Sequence, residues 1–468
     1  MYKRLSFSVG GCLLAITVAV FVAGTARGVR ASDEDQQSND RPSVLENAAR
    51  MISQGRHTFR FDTFGDEAFW GGTLQLHNAI KGVKLGGVGP GVSPNTALAV
   101  GLKVDVDALL DDDHFRGRDD HSRQDQRLRA RALAALGAVN LDDPATTVAL
   151  LRAKAVVGLT GFFDNSGSLQ SIGIQCALCH STVDDVVAPG IGRRLDARAN
   201  RDLNVGAIVS LAPNLQPVAD LLKVDVPTVR TVLGAWGPGK FDAELFLDGK
   251  GFRPDGKTAA TLIPPAFGLA GVNLHTWTGW GSVTHWNAFV ATLEMHGKGR
   301  FFDPRLNDAM QFPIAAANGF GDLPHIDPDD DRITKTLPAL HFYQLSIPAP
   351  KPVAGRDFDA AAAARGDELF SGKAGCNGCH VEPLWTEPGW NMHKPEEVCV
   401  DSFQADRAPD HRYRTSPLAG LFTHQKGGFY HDGRFATLGD VVNHYNSCMN
   451  LNLSDQEMQD LVQYLLSL

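Results

Sequence analysis

Two short stretches carry residue types that could do chemistry at a fixed spacing: Cys176-Ala-Leu-Cys179-His180 and Cys376-Asn-Gly-Cys379-His380. A Cys-x-x-Cys pair can hold zinc, exchange disulfides or attach haem. Zinc takes four ligands, usually from paired motifs close in sequence. These two pairs lie far apart, and neither has a second ligand pair nearby. Thiol–disulfide exchange makes no demand for His at the next position. Covalent haem does: the two thiols form thioethers to the porphyrin vinyl groups, and the His sits under the iron as proximal ligand. With 7 Cys and 16 His in 468 residues, one such match arises by chance roughly 0.004 times. Two matches therefore identify two covalently bound c-type haems, attached at Cys176, Cys179, Cys376 and Cys379 and ligated by His180 and His380.

The rest of the chain must position these motifs. Its length suggests two or three domains, and 43% hydrophobic with 21% charged residues is ordinary for a globular protein. A formal net charge of −9 argues against nucleic acid as a partner, which demands a basic face. Lys3 and Arg4 precede an apolar run to about Gly24, and Val29-Arg30-Ala31 offers small residues for cleavage, so residues 1–31 read as a secretory signal peptide. The alternative, an uncleaved anchor, is disfavoured because the run is short for a bilayer span. Cys12 sits too early in that run for a lipoprotein signal. Cleavage would remove four basic residues and no acid, leaving a net charge of −13. No other apolar stretch approaches membrane length, so the expectation is a periplasmic protein that is not integral to the membrane. Cys399 and Cys448 remain over. A disulfide between them suits an oxidising compartment, and two separate buried thiols are the alternative.

Residues 32–150 carry no haem motif and form an N-terminal extension of unknown role. Gly86 to Pro94 is glycine-rich without the spacing of a phosphate cradle and reads as a loop. Asp111 to Arg127 mixes both charges with almost no apolar residue and reads as exposed; its Asp run lacks the glycine and terminal Glu of a calcium loop. Residues 346–355 alternate prolines and read as a stiff linker. It separates a first haem domain, residues 151–345, from a second, residues 356–468. In the second, a helical run from Phe358 to Gly372 leads into Cys376. The chain ends in a helix with a Ser454/Glu457 capping box and an apolar face of Met458, Leu461, Val462 and Leu465. The fold class expected is mainly α: two cytochrome c-like haem domains in tandem behind an N-terminal extension.

The two haem regions repeat one another beyond the motifs. "PPAFGLAGVNLHTWTGWGSVTHWNAFV" in the first matches "SPLAGLFTHQKGGFYHDGRFATLGDVV" in the second. Anchored on Gly281 and Gly433, both continue into a helix. One presents Val283, Trp286, Val290 and Glu294 on a single face, the other Leu438, Val441, Val442 and Tyr445. Each stripe ends in a polar side chain that should point towards haem. For Tyr445 the alternative is a core tyrosine with its hydroxyl bonded; for Glu294 it is an exposed helix end.

Together these features resemble the bacterial di-haem cytochrome c peroxidase superfamily, with MauG-like enzymes and rubber oxygenases among its members. The resemblance spans about residues 165–468 and is most specific over Arg414 to Asn446, which looks like the family's proline-led segment, His-Asp-Gly turn and helix. Fourteen residues past the turn His, where the peroxidases have a methionine ligand to the second haem, His431 leads to Tyr445; MauG-like members carry tyrosine there. The family's inter-haem Trp, in a Trp-Asp-Gly turn, corresponds to Trp280-Gly281, without the Asp. Its distal acid, a Glu before a Met, corresponds to Glu294-Met295 at a shorter spacing.

The resemblance implies reduction of hydrogen peroxide, or another small substrate, at the first haem. Glu294 would be the acid–base group, Trp280 the electron conductor, and the second haem, between His380 and Tyr445, a relay from a small redox protein. It also brings a calcium site between domains, whose backbone ligands leave no trace in sequence. Two rival readings remain: MauG-like or oxygenase-type oxidation of an organic or protein substrate, and a non-enzymatic di-haem electron carrier. The carrier would draw further iron ligands from His275, His285, His296, His424 or His444.

Overall fold

The computed structural model describes residues 43–110, 137, 140–323, 326–424 and 426–468. Residues 1–31, read from the sequence as a signal peptide, and the charge-rich stretch Asp111 to Arg127 lie outside them. The chain divides into a short N-terminal unit, Met1–Ala48, and a main unit, Ala49–Leu468. No helix among the described residues is long and apolar enough to cross a membrane.

As expected, the protein is mainly helical, and its strands are short two-stranded ribbons. Helix α1 spans Val44–Phe61. Strands β1 (Leu159–Phe163) and β2 (Leu169–Ile174) pair antiparallel, with Leu159 opposite Ile174. Their turn is set by Asp164, whose carboxylate accepts the backbone N–H groups of Ser166 and Ser168, a side chain standing in for turn backbone. The ribbon delivers the chain into α2 (Ala177–His180), the turn bearing the first motif. Strands β3 (Ser181–Val183) and β4 (Arg194–Asp196) then pair directly behind it. The first motif is thus gripped between two small ribbons.

The sequence assigned no role to residues 32–150. Their described part packs into the body around the first motif: Trp70, Leu74, Leu76 and Ile80 share one core with Leu159, Ile172, Leu178 and Leu233. At Gly71 the chain runs so close to β2 that a Cβ would lie 1.7 Å from the Ser171 hydroxyl. Trp70 donates its indole N–H to the Met295 carbonyl at 3.0 Å. These contacts join residues far apart in the chain, 225 positions for Trp70 and Met295, which no local sequence signal reports.

Further along, α3 (Val283–Phe289) is capped by Ser282 and passes into a wider π turn, Val290–Glu294. Around the second motif the construction is local. Helices α4 (Ala360–Ser371), α5 (Leu438–Cys448) and α6 (Asp455–Leu466) enclose a core of Phe370, Leu421, Phe429, Val442, Leu461 and Tyr464. The Ser454/Glu457 capping box forms, and Leu461 and Leu465 are buried. Where α4 crosses α6, a Cβ on Gly366 would stand 2.2 Å from the Asp460 carbonyl oxygen, so the crossing needs glycine. Beside it, Arg365 grips the Asp460 carboxylate at 2.6 and 2.8 Å. In the proline-rich 346–355 segment, Ile347 and Ala349 pack against Phe267.

Arginines tie the regions together. Arg253 reaches Asp401 (2.9 Å) and Asp432 (3.0 Å). Arg414 donates to the carbonyls of Leu274 and Thr276.

Candidate haem sites

At the first motif, the one-turn helix α2 brings Cys176, Cys179 and His180 together, with the His180 N–H closing on the Cys176 carbonyl. His180 Nδ1 lies 3.1 Å from the Pro264 carbonyl oxygen. A carbonyl can only accept, so Nδ1 carries the hydrogen and Nε2 keeps its lone pair, as an iron ligand requires. Burial pushes this ring down to about 4, so it is neutral. Burial also pushes both thiols up to about 12, with Asp62 adding to Cys176 and Glu294 to Cys179. Thiol–disulfide exchange needs a stabilised thiolate, which this setting denies.

The second motif repeats the device. Gly375 turns the chain into Cys376–Gly378, and His380 Nδ1 lies 3.0 Å from the Trp385 carbonyl oxygen, again leaving Nε2 free. Cys376, Cys379 and His380 open onto a cavity of about 300 Å³ that Tyr445 and Met449 also line. Tyr445 is presented by α5, whose start is fixed by a reciprocal Thr437/Asp440 capping box. Burial raises its phenol, and Tyr430, with rings 6.3 Å apart, works against that rise. Near its end α5 is tied twice to the segment forming the cavity wall. The Cys399–Cys448 disulfide forms, with Cα atoms 6.0 Å apart, and His444 Nε2 bonds the Val398 carbonyl at 2.9 Å. Val398 and Val400 line the same cavity.

Several buried polar atoms on that wall have no protein partner: Arg201 Nε and Nη1, Thr276 Oγ1, His424 Nε2 and His431 Nε2. Burying such groups unpaired costs about 1–3 kcal/mol each. A porphyrin carries two carboxylates, and Arg201, pushed down to about 10 by burial, still offers a charged donor for one. The thiol pair, the oriented imidazole and the unpaired cavity donors fit a c-type haem.

The structure registers the internal repeat two residues away from the Gly281 anchor. The bridge His275–Gly281 in the first copy matches Phe429–Phe435 in the second. Gly279 (φ +63°) then pairs with Gly433 (φ +73°) in the left-handed region that glycine tolerates. "WTGWG" offers two Trp-to-Gly turns, and only the backbone chooses between them. Trp277 consequently takes the place of His431. It lines the cavity of the second motif and donates its indole N–H to the Leu262 carbonyl at 2.9 Å. Trp280 instead lies within an aromatic cluster with Trp286, Phe289 and Phe312, its indole N–H unpartnered. Counted from the caps Ser282 and Thr437, Tyr445 falls level with Val290, and Glu294 sits at the end of the π turn. Glu294 is nevertheless charge-coupled to Cys179, and one carboxyl oxygen, Oε2, is buried without a partner.

The other histidines divide. His275, His285 and His444 spend a ring nitrogen on Val272, Asp303 and Val398 respectively, and His296 stacks on Phe69 with ring centres 3.6 Å apart. His424, by contrast, lines the second cavity with Nε2 unpaired. Sequence reasoning missed Arg201, Trp277, Pro264 and Trp385. The two carbonyls that orient the histidines leave no side-chain signal, but a Trp-x-Gly turn matching His-Asp-Gly could have found Trp277.

No protein-family model matches the chain. A curated relative, cytochrome-c peroxidase IdrP1 from Denitromonas iodatirespirans, is 26% identical over 220 aligned positions, covering 36% of this chain and 57% of that protein. The match thus spans little more than half of the relative. Among solved structures, Kuenenia stuttgartiensis hydrazine synthase aligns with 15% identity and a TM-score of 0.30, over 47% of this chain and 76% of that one. A MauG-like protein associated with microbial copper homeostasis aligns with 16% identity and a TM-score of 0.29, over 48% and 81%. Over part of its length the chain is thus similar to a cytochrome-c peroxidase, and with the paired Cys-x-x-Cys-His motifs this similarity implies c-type haem as the cofactor.

Proposed function

We propose that the protein is a periplasmic di-haem oxidoreductase that reduces hydrogen peroxide at the first motif, with electrons entering at the second from a small redox protein. The observation that carries this reading is the asymmetry of the two sites. A carboxyl with an unpartnered oxygen stands near Cys179, whereas a tyrosine faces the cavity of Cys376 and Cys379. An electron carrier with two closed irons has no use for a buried, unpaired carboxyl.

Bound haem would supply the iron that binds peroxide at one site and passes electrons at the other. His180 and His380, oriented by Pro264 and Trp385, hold it. Glu294 gives its proton to the far peroxide oxygen as the O–O bond breaks, so that this oxygen leaves as water with the bonding pair. Trp277 is the residue we assign between the sites. Its N–H is bonded to Leu262, two residues before the carbonyl that holds His180, and its ring lines the second cavity. Trp280, three residues on in the aromatic cluster, is the other candidate conductor.

Mixing haem-loaded protein with peroxide in a stopped-flow spectrometer tests the proposal. A rapid spectral change in the wild type that slows in Glu294→Gln supports it; a wild-type spectrum without any high-spin ferric band favours the carrier. Tyr445 favours a second reading, MauG-like oxidation of an organic or protein substrate. A tyrosinate ligand stabilises high oxidation states and lowers the potential, which suits storing oxidising equivalents.

A further inference from the structure

Beneath Glu294 lies a set of charged groups with too few cations. Asp242, Glu244 and Asp248, on one short segment, are all buried, as is Arg407, which arrives from the second half of the chain. Arg407 grips Asp248 with two bonds (2.8 and 3.0 Å), reaches Asp242 Oδ1 at 2.9 Å and donates to the Ala259 carbonyl. Asp242 Oδ2, like Glu294 Oε2, is buried with no partner. Ala243, between the two acids, and Leu293, next to Glu294, pack against the same aromatic core.

One guanidinium here faces three carboxyls, two of which act in turn on Glu294. Buried charge is tolerated only when paired, and an unpaired carboxylate in such a place takes up a proton instead. Arg407 offsets one negative charge, and burial of the rest favours proton uptake by Asp242, Glu244 and Glu294. The groups acting on Glu294 are Glu244 and Asp242 from this segment, and Glu294 in turn acts on Cys179 of α2; Arg407 faces Asp242 and Glu244. Burial, reinforced by Glu244 and then Asp242, pushes Glu294 well above the ordinary carboxyl range.

We propose that Asp242 and Glu244 form a buried proton store that keeps Glu294 charged with the proton it delivers, making both of them positioning and supply residues for the first site. In this step a proton leaves the Glu244 or Asp242 carboxyl and arrives at the Glu294 carboxylate. No electrons move, and the donor is left ionised against Arg407. The inference rests on the acid–base role given to Glu294 above.

The test uses the full-length, haem-loaded protein. Infrared spectra of the unmutated protein near pH 7 should show the C=O stretch of protonated, buried carboxyls. Glu244→Gln should remove part of that band. It should also move the alkaline limb of the peroxide rate–pH profile down by roughly one unit, since a neighbouring charge is gone, with haem content and optical spectrum unchanged. The absence of any protonated-carboxyl band at pH 7 overturns the store, and this measurement needs no variant to fold. A Glu244→Gln profile that overlays the wild type overturns the supply role. Glu294→Gln separates the two claims. If it reacts with peroxide at the wild-type rate, the acid–base role of Glu294 falls, and the supply role with it. If it slows the reaction while Glu244→Gln does nothing, only the store falls.

Discussion

The two motif sites hold their carboxyl groups in opposite ways. Around the first, burial pushes acids up: Asp66 to about 9, and Asp62, Glu244 and Glu294 in the same direction. Around the second, burial is overcome. Thr415 and His393 bring Glu387 down, and Arg434 with Arg253 does the same for Asp401. For Asp432, Arg434 and His431 outweigh burial. The first site is furnished with proton donors and the second with fixed negative charge. That division suits proton-coupled chemistry at one and electron passage between steady geometries at the other.

The largest effect expected from breaking the contrast is at Glu294. Glu294→Gln keeps shape and hydrogen bonding but not the acid, so peroxide reduction should fall about 10²–10⁴-fold, while the spectrum of the second site stays as it was. Glu294→Asp should keep part of the rate. Tyr445→Phe should do the reverse, removing any tyrosinate charge-transfer band and raising the potential of the second haem. Rates and spectra that move together in both variants would show that the sites do not divide the work.

The next effect concerns how each site is held. The second depends on a bond between α5 and its cavity wall, with a sequence separation of 49 between the cysteines. Cys399→Ser with Cys448→Ser should cost about 2–4 kcal/mol. Hydrogen exchange should show the loss over residues 395–400 and α5 and leave β1, β2 and α2 protected. A loss spread equally over both sites would contradict the local construction.

Acidity should sharpen the contrast further. Asp66 is raised from 3.8 to about 9, so the folded state keeps a proton that the unfolded chain gives up. Its contribution fades as pH rises from about 4 towards 9. Asp401 and Asp432 are lowered, so their contribution is present above about 4 and fades as pH falls below it. Corrected for intrinsic rates, exchange should quicken over residues 169–176 on the alkaline side and over 429–435 on the acid side.

What the sequence made legible follows from how far apart the partners lie. The haem motifs, the Ser454/Glu457 box and the terminal helix depend on residues within a turn of one another. So does the line from His431 to Tyr445, because a turn and one uninterrupted helix connect them. Glu294 closes a π turn, which shifts the helical face by a residue that no periodicity reveals. Trp277 and Trp280 compete within five residues, and a backbone angle at Gly279 decides between them. The packing of Trp70 on Met295 and the meeting of Asp242, Glu294 and Arg407 depend on tertiary contacts alone.

The smallest effect compares the caps of the two repeated helices. Ser282 accepts the His285 N–H at 3.3 Å and receives nothing in return. Thr437 accepts the Asp440 N–H at 3.1 Å, and the Asp440 carboxylate accepts the Thr437 N–H at 2.8 Å. Removing a cap hydroxyl costs about 0.5–2 kcal/mol. Thr437→Ala should fall towards the upper end, because it also frees the Asp440 carboxylate it bonds at 2.8 Å, and Ser282→Ala towards the lower. Thr437→Ser, which keeps the oxygen, should recover most of the loss. Because α5 carries Tyr445 eight residues past its cap, Thr437→Ala should also broaden the spectrum of the second haem. Ser282→Ala should leave that spectrum alone, since α3 hands on to the π turn before Glu294. Chemical denaturation ranks the two variants, and equal losses would mean that the reciprocal box adds nothing to the hold on the second site.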